Sequence, residues 1–275
     1  MYMTILDFIP LPLLFILTIA IVLVAVEAGF RLGVKHSNLN DNKAPVSTMV
    51  GSALGLLAFM LAFTFGMAGS RFENRKALVV DDANAIFTSY LRSAFVDEPY
   101  RAEIRKLLRE YVDIRIEAAT HAELQNKDVL NNMLQIQNRL WAISEEVWKN
   151  EKGANSASLL AQSMNEIFNT HNKRLSLTFT NRIPGTIWLV LYSILFFSMG
   201  VVGYYAGLLK THSRVVAVVL AVAFSSIMFL IDDLDRPQQG FLKVNQQAMI
   251  NLRDRMDSIN VKAPDTRLKD PEKVQ

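Results

Sequence analysis

The sequence predicts an all-α membrane protein, with four transmembrane helices in two hairpins and a helical-bundle domain inserted between spans two and three. Two observations carry this prediction. Of the 275 residues, 51% are apolar, too many for an ordinary soluble domain, and the excess gathers in four stretches at 10–30, 46–69, 183–209 and 215–231. Each approaches or exceeds the ~20 residues, at a rise of ~1.5 Å each, that cross a ~30 Å hydrocarbon layer. The segment 70–182 between the hairpins instead interleaves apolar and charged residues at helical spacing.

The first hairpin occupies 1–69. Its first span opens on Pro10 and Pro12, with no Lys or Arg before it. Together with its length, this argues for a retained span rather than a cleaved leader, although Val26-Glu27-Ala28 loosely resembles a cleavage site. Glu27 is an intramembrane carboxylate, a functional candidate by the cost of placing charge in lipid. Arg31, four residues on, offers the plainer reading of a snorkelling ion pair on one helical face.

The second span carries a Gly51-x-x-x-Gly55 pair, and Ala58, Ala62, Gly66 and Ser70 continue a row of small residues. Beside that row run Phe59, Phe63 and Met67, four apart. Two readings fit. The small residues let a neighbouring span approach closely; or the helix lines a pore in an oligomer, with Gly55, Phe59, Phe63 and Met67 on the lining and the phenylalanines forming an apolar constriction.

No strong breaker follows this span, so it is expected to run on into the helical domain as one long rod. Phe72, Val79, Ala83, Ile86 and Tyr90 form the first stripe of the domain, and Glu98-Pro99 ends it. A second helix presents Ile104, Leu108, Tyr111 and Val112. A third presents Leu130, Met133, Leu134, Leu140, Trp141, Val147 and Trp148, and stops near Lys152-Gly153. A fourth, from about Ser156, presents Leu160, Met164, Ile167, Phe168 and Leu175. Four such amphipathic helices pack as a bundle.

The second hairpin occupies 183–231. A juxtamembrane turn, Asp235 to Gly240, and an amphipathic helix with Phe241, Met249, Leu252, Met256 and Ile259 fill 232–261. The polar, proline-bearing tail 262–275 reads as disordered.

Because four spans are an even number, the tail, the domain and the C-terminal segment share one side. Arg71, Arg75, Lys76, Lys173, Arg174, Arg182, Arg236 and Lys243 on that side outnumber Arg31, Lys35, Lys43, Lys210 and Arg214 opposite, which favours a cytoplasmic domain and cytoplasmic termini. The first hairpin taken alone points the other way.

Charge crowds two span exits on that side: Arg71, Arg75, Asp81 and Asp82 after the second, and Asp232, Asp233, Asp235 and Arg236 after the fourth. Three acids at a helix C-terminus oppose the helix dipole, so cations should compensate them. An inter-helix ion network is one reading, and a charged vestibule for permeant ions is the other.

The chain lacks cysteine, which excludes disulfides, thiolate nucleophiles and cysteine metal sites. A net charge of +3 gives no footprint for nucleic acid. No phosphate-binding loop, dinucleotide fingerprint, nucleophile elbow or zinc-protease motif occurs. His36, His121, His171 and His212 are scattered, and each reads as a solvated surface residue. The expectation is therefore no enzyme, no cofactor and no metal.

The run Leu56-Leu57-Ala58-Phe59-Met60-Leu61-Ala62-Phe63-Thr64-Phe65, then Arg71-Phe72 and Ala77 to Ile86 (ALVVDDANAI), together with Asp233-Leu234-Asp235-Arg236-Pro237-Gln238-Gln239-Gly240-Phe241, resembles the bestrophin-like family of bacterial membrane proteins. The resemblance extends over nearly the whole chain to about Met256. It implies an analogy to bestrophins: pentameric anion channels with four spans, a helical cytoplasmic domain between the second and third, and a pore lined by the second. On that analogy Phe59 and Phe63 are the nearest counterparts of the neck, the partners are the lipid bilayer, other copies of the chain and inorganic ions, and the location is a bacterial cell membrane. Animal bestrophins bind calcium with an acidic cluster after the last span. Here that cluster is shorter and interrupted by Arg236 and Pro237, so the resemblance carries no calcium site. The alternative, from a different class, is a non-conducting scaffold or signalling protein whose helical domain binds partners.

Overall fold

A computed structural model describes residues 9–37, 43–121, 126–150, 155–179, 182–211, 213–236 and 240–262. Every long regular element among them is an α-helix: α1 (Leu11–His36), α2 (Lys43–Arg92), α3 (Tyr100–Thr120), α4 (Lys127–Asn150), α5 (Asn155–Phe179), α6 (Gly185–Leu208), α7 (Arg214–Asp235) and α8 (Gln247–Lys262). Lys152-Gly153, His212, Pro237 to Gln239 and the tail from 263 lie outside the described residues. Four helices, α1, α2, α6 and α7, are long and apolar enough to cross a membrane. The expected rod is present: α2 runs for 50 residues without a break. At ~1.5 Å per residue it is about 75 Å long, more than twice the thickness of a hydrocarbon core.

The chain divides into two compact units. A membrane unit comprises 1–74 and 176–243, and a helical unit comprises 75–175 and 244–275; the division falls inside α2, between Asn74 and Arg75.

In the membrane unit, α1 packs against α6 and α7. The α1–α6 contact is made backbone to backbone. A methyl group on Gly29 would land on the carbonyl oxygen of Gly200, one on Gly203 would land on that of Val26, and Gly33 and Gly207 face each other in the same way. In lipid, where apolar side chains gain little by meeting one another, such close approach lets helix packing and dispersion hold the pair together. Around this seam Val22, Ala25, Leu57, Leu61, Trp188, Leu191, Leu195, Met199 and Met228 form the core. Phe72, expected on the first stripe of the domain, packs against this core instead.

In the helical unit, Val79, Ile86, Tyr90, Ile104, Leu108, Val112, Met133, Leu140, Ile143, Val147, Leu160, Met164 and Ile167 interlock. The C-terminal helix α8 is part of this core through Met249, Leu252 and Met256. The buried Tyr90 hydroxyl donates to the Met256 carbonyl at 3.2 Å. Leu134, Trp141 and Trp148, expected on the inner stripe of α4, face outward. They recur every seven residues beside the buried Met133, Leu140 and Val147, one position round the helix, and the core is already filled by that neighbouring row.

Candidate functional site

The membrane half of α2 presents two different faces. Leu57, Leu61, Thr64 and Ala68 are buried in the unit, and the Thr64 hydroxyl donates to the Met60 carbonyl, removing a polar group from the apolar layer. The other face is bare. Phe59 and Phe63 are 66% and 57% exposed, and a side chain added at Gly51, Gly55, Gly66 or Gly69 would meet open space among the described residues. Met67 turns partly inward against the core, where its sulfur lies 3.6 Å from the Arg71 guanidinium. The close helix contact that small residues permit is thus made by the glycines of α1 and α6, to which the sequence reading gave no weight.

The three acids at the end of α7 are all buried, and each has a different task. Asp235 accepts hydrogen bonds from the backbone N–H of Ile183 at 3.1 and 3.3 Å. It also lies 3.5 Å from Arg71 and 3.4 Å from Arg182. It therefore ties the exit of the second span to the approach to the third. Asp233 accepts from the backbone N–H groups of Phe241 and Leu242 at 2.6 and 3.1 Å. Asp232 pairs with Arg236, one turn on, at 3.0 Å. Their carboxylates are spent on separate donors, and no group of three or more metal-binding side chains converges among the described residues. Arg182, counted in the sequence only toward sidedness, is the partner that reasoning missed; its place just before Pro184, at the start of the third span, was the available signal.

The charges after the second span part company within a few residues. Arg71 joins Asp235, as above. Arg75 is buried in the helical unit. Asp81 is exposed, on a groove of about 500 Å³ whose lining includes Asn84, Thr88, Arg92, Glu166 and Lys173. Asp82 is fully buried and receives the Arg115 guanidinium at 2.7 and 3.2 Å, with Arg174 at 3.6 Å.

Around this pair of arginines lies a polar chain that sequence reasoning did not foresee. Arg174 and the Tyr111 hydroxyl both reach His171 Nδ1, at 3.0 and 2.9 Å, and Gln137 donates to the Tyr111 oxygen at 3.4 Å. An arginine can only donate, so His171 Nδ1 is the acceptor and the ring proton sits on Nε2. Burial, then the charges of Arg174 and Arg115, push the His171 pKa down to about 4, so the ring is neutral. Burial followed by Arg115 lowers Arg174 to about 10, and burial raises Tyr111. His171, expected on the surface, is a core residue because its helix, α5, turns that face toward α3.

Glu27 lies 2.7 Å from Arg31, and both side chains are exposed within the chain.

A family model for the Bestrophin-like domain matches residues 14–249. Among solved structures, a variant of a bacterial bestrophin homologue from Klebsiella pneumoniae is 15% identical, with a TM-score of 0.65 over 91% of this chain and 98% of that chain. A second variant of the Klebsiella pneumoniae homologue is 16% identical, with a TM-score of 0.58 over 90% and 97%. A structure described as a membrane protein is 15% identical, with a TM-score of 0.63 over 90% and 96%. At such identities the likeness speaks for the fold alone. No curated protein matches the sequence. With four helices long and apolar enough to cross a membrane and a family match over most of its length, the chain is an integral membrane protein and belongs to the Bestrophin-like family.

Proposed function

We propose that this protein is an oligomeric ion channel in which α2 lines the pore. The observation that carries the reading is the bare face of α2, where Phe59 and Phe63 are largely exposed and a side chain at Gly51 or Gly55 would meet nothing among the described residues. A helix facing only lipid gains nothing from a glycine row, whereas copies of one helix around an axis can approach closely along it. In such a ring Phe59 and Phe63 form an apolar constriction that gates by dewetting. Gly55 sits on the lining with them and Met67 at its edge. The spans run as two hairpins, the ring is a homopentamer as the family resemblance implies, and the permeant species are inorganic anions. The helical unit and both termini face the cytoplasm of a bacterial cell.

The test is ion flux from liposomes containing the purified protein. Gradient-driven flux is expected, and Phe59→Ala and Phe63→Ala are expected to raise it. No flux under any gradient, with neither variant changing the result, sinks the channel reading.

A second reading has one specific observation in its favour. Leu134, Trp141 and Trp148 expose an apolar stripe along α4, as a docking surface in a non-conducting scaffold would. A protein that passes no ions but loses a bound partner on Trp148→Ala would establish it.

A further inference from the structure

The turn after the fourth span has a property that ion conduction does not require. Phe241 is 72% exposed and Leu242 is 41% exposed, six and seven residues beyond the buried end of α7 at Asp235. The Phe241 ring stands 5.8 Å from Phe229, and Phe229 stands 5.7 Å edge-on from Phe15. Phe229 lies only two residues, about 3 Å, inside the last apolar residue of the span, Ile231. The Phe241 ring therefore lies against a residue six positions before the end of α7 rather than beyond the helix end, and Leu230, next to Phe229 in sequence, is exposed.

The backbone there is prepared for an apolar setting. Peptide N–H groups that enter lipid must be satisfied internally. Those of Phe241 and Leu242 are, because both donate to the Asp233 carboxylate, at 2.6 and 3.1 Å. Gly240 makes this closure possible, since a Cβ there would lie 2.5 Å from Asp233 Oδ1. The next residue, Lys243, is exposed. Two apolar side chains followed by a cation match the order of acyl chain and phosphate met on leaving a bilayer.

We propose that Phe241 and Leu242 form a membrane-interface wedge, seated at the acyl–headgroup boundary of the leaflet nearest the end of α7, with Asp233 as the latch that presents it. The occupant of this apolar patch is lipid, because the patch continues the lipid-facing surface of α1 and α7 through the Phe15–Phe229–Phe241 contacts. Asp233 is thereby a positioning residue for membrane seating.

The absence of native cysteine permits a direct test. Phe241→Cys and Leu242→Cys in the full chain are nitroxide-labelled and reconstituted in phosphatidylethanolamine–phosphatidylglycerol vesicles. Collision rates with oxygen and with a water-soluble nickel chelate are then compared with labels at Val219, on the outward face of α7, and Asn131, on α4. The expected result is an oxygen-to-nickel ratio several-fold above that at Asn131 and approaching that at Val219. A ratio equal to that at Asn131 overturns the proposal in favour of water. An immobile label closed to both reagents overturns it in favour of a second copy of the chain. Asp233→Asn, or Gly240→Ala if that variant does not fold, is expected to raise nickel access at position 241 several-fold. An unchanged ratio removes the latch. None of these readings depends on ion flux, so the wedge and the channel stand or fall separately.

Discussion

Asp235 and Asp82 are both fully buried aspartates facing two arginines, one in each unit, yet their surroundings answer the cost of burial differently. Asp235 has its charge spread over a backbone N–H and over Arg71 and Arg182, whose side chains are only partly buried, at 15% and 19% exposed. Asp82 faces Arg115 and Arg174, whose side chains are 1% and 8% exposed. If the first site loses its carboxylate charge, its partly exposed arginines are expected to turn to water. Those of the second cannot, because one carboxylate already serves two buried guanidiniums beside a histidine held neutral. The contrast teaches that a buried ion pair is judged by where its partners go when it is broken.

The sharpest way to break the comparison is to neutralise each acid in turn. Asp82→Asn strands two buried cations and is expected to cost about 3–5 kcal/mol. Asp235→Asn keeps an oxygen acceptor for the Ile183 N–H and should cost less, about 1–3 kcal/mol. The chain has three tryptophans. In a Trp188→Phe background only Trp141 and Trp148 remain, so fluorescence-monitored unfolding in detergent reports on the helical unit, while Trp188 alone reports on the membrane unit. Equal losses at the two sites would dissolve the distinction.

A second prediction concerns pH. The His171 ring has a pKa of about 4 in the fold against an ordinary 6.5, so between these values the unfolded chain binds more protons. The stability of the helical unit should therefore be level above about 6.5 and fall as pH drops toward 4, by at most about 3 kcal/mol. His171→Gln should flatten that slope; a slope that persists would place the titrating group elsewhere.

The smallest effect is expected at the surface. Arg109 joins α3 to α8 through Asp257, at 2.8 and 3.0 Å, and also pairs with Asp113. These acids hold the guanidinium pKa above its usual value, and Arg109 in turn lowers that of Asp257. Asp257 is half exposed, however, so Asp257→Asn should cost under about 1 kcal/mol and lose even that in high salt. A cost comparable to that of Asp82→Asn would show that burial does not set the scale.

Much of the fold was legible because its signals are local. The four apolar stretches, the unbroken passage from the second span into the helical domain, and the apolar rows around Ile104, Leu140 and Leu160 are properties of contiguous residues. The candidate site was less legible. The bare face of α2 follows the residues singled out by spacing, Gly55, Phe59 and Phe63. Which glycines pack did not follow: the row in α2 met open space, and Gly29, Gly33, Gly203 and Gly207 made the contact. Leu134, Trp141 and Trp148 were misplaced because an apolar stripe one position wide of the core looks the same in sequence as the core itself.

By itself, the sequence determined that this is a helical membrane protein of the bestrophin-like kind, since crossing a bilayer demands length, apolarity and internal hydrogen bonding that a single segment displays. Only the tertiary structure decided which acid meets which arginine. Asp82 reaches Arg115 across 33 residues and Asp235 reaches Arg71 across 164. No spacing rule spans such separations, because a carboxylate takes whichever cation the packed helices bring to it.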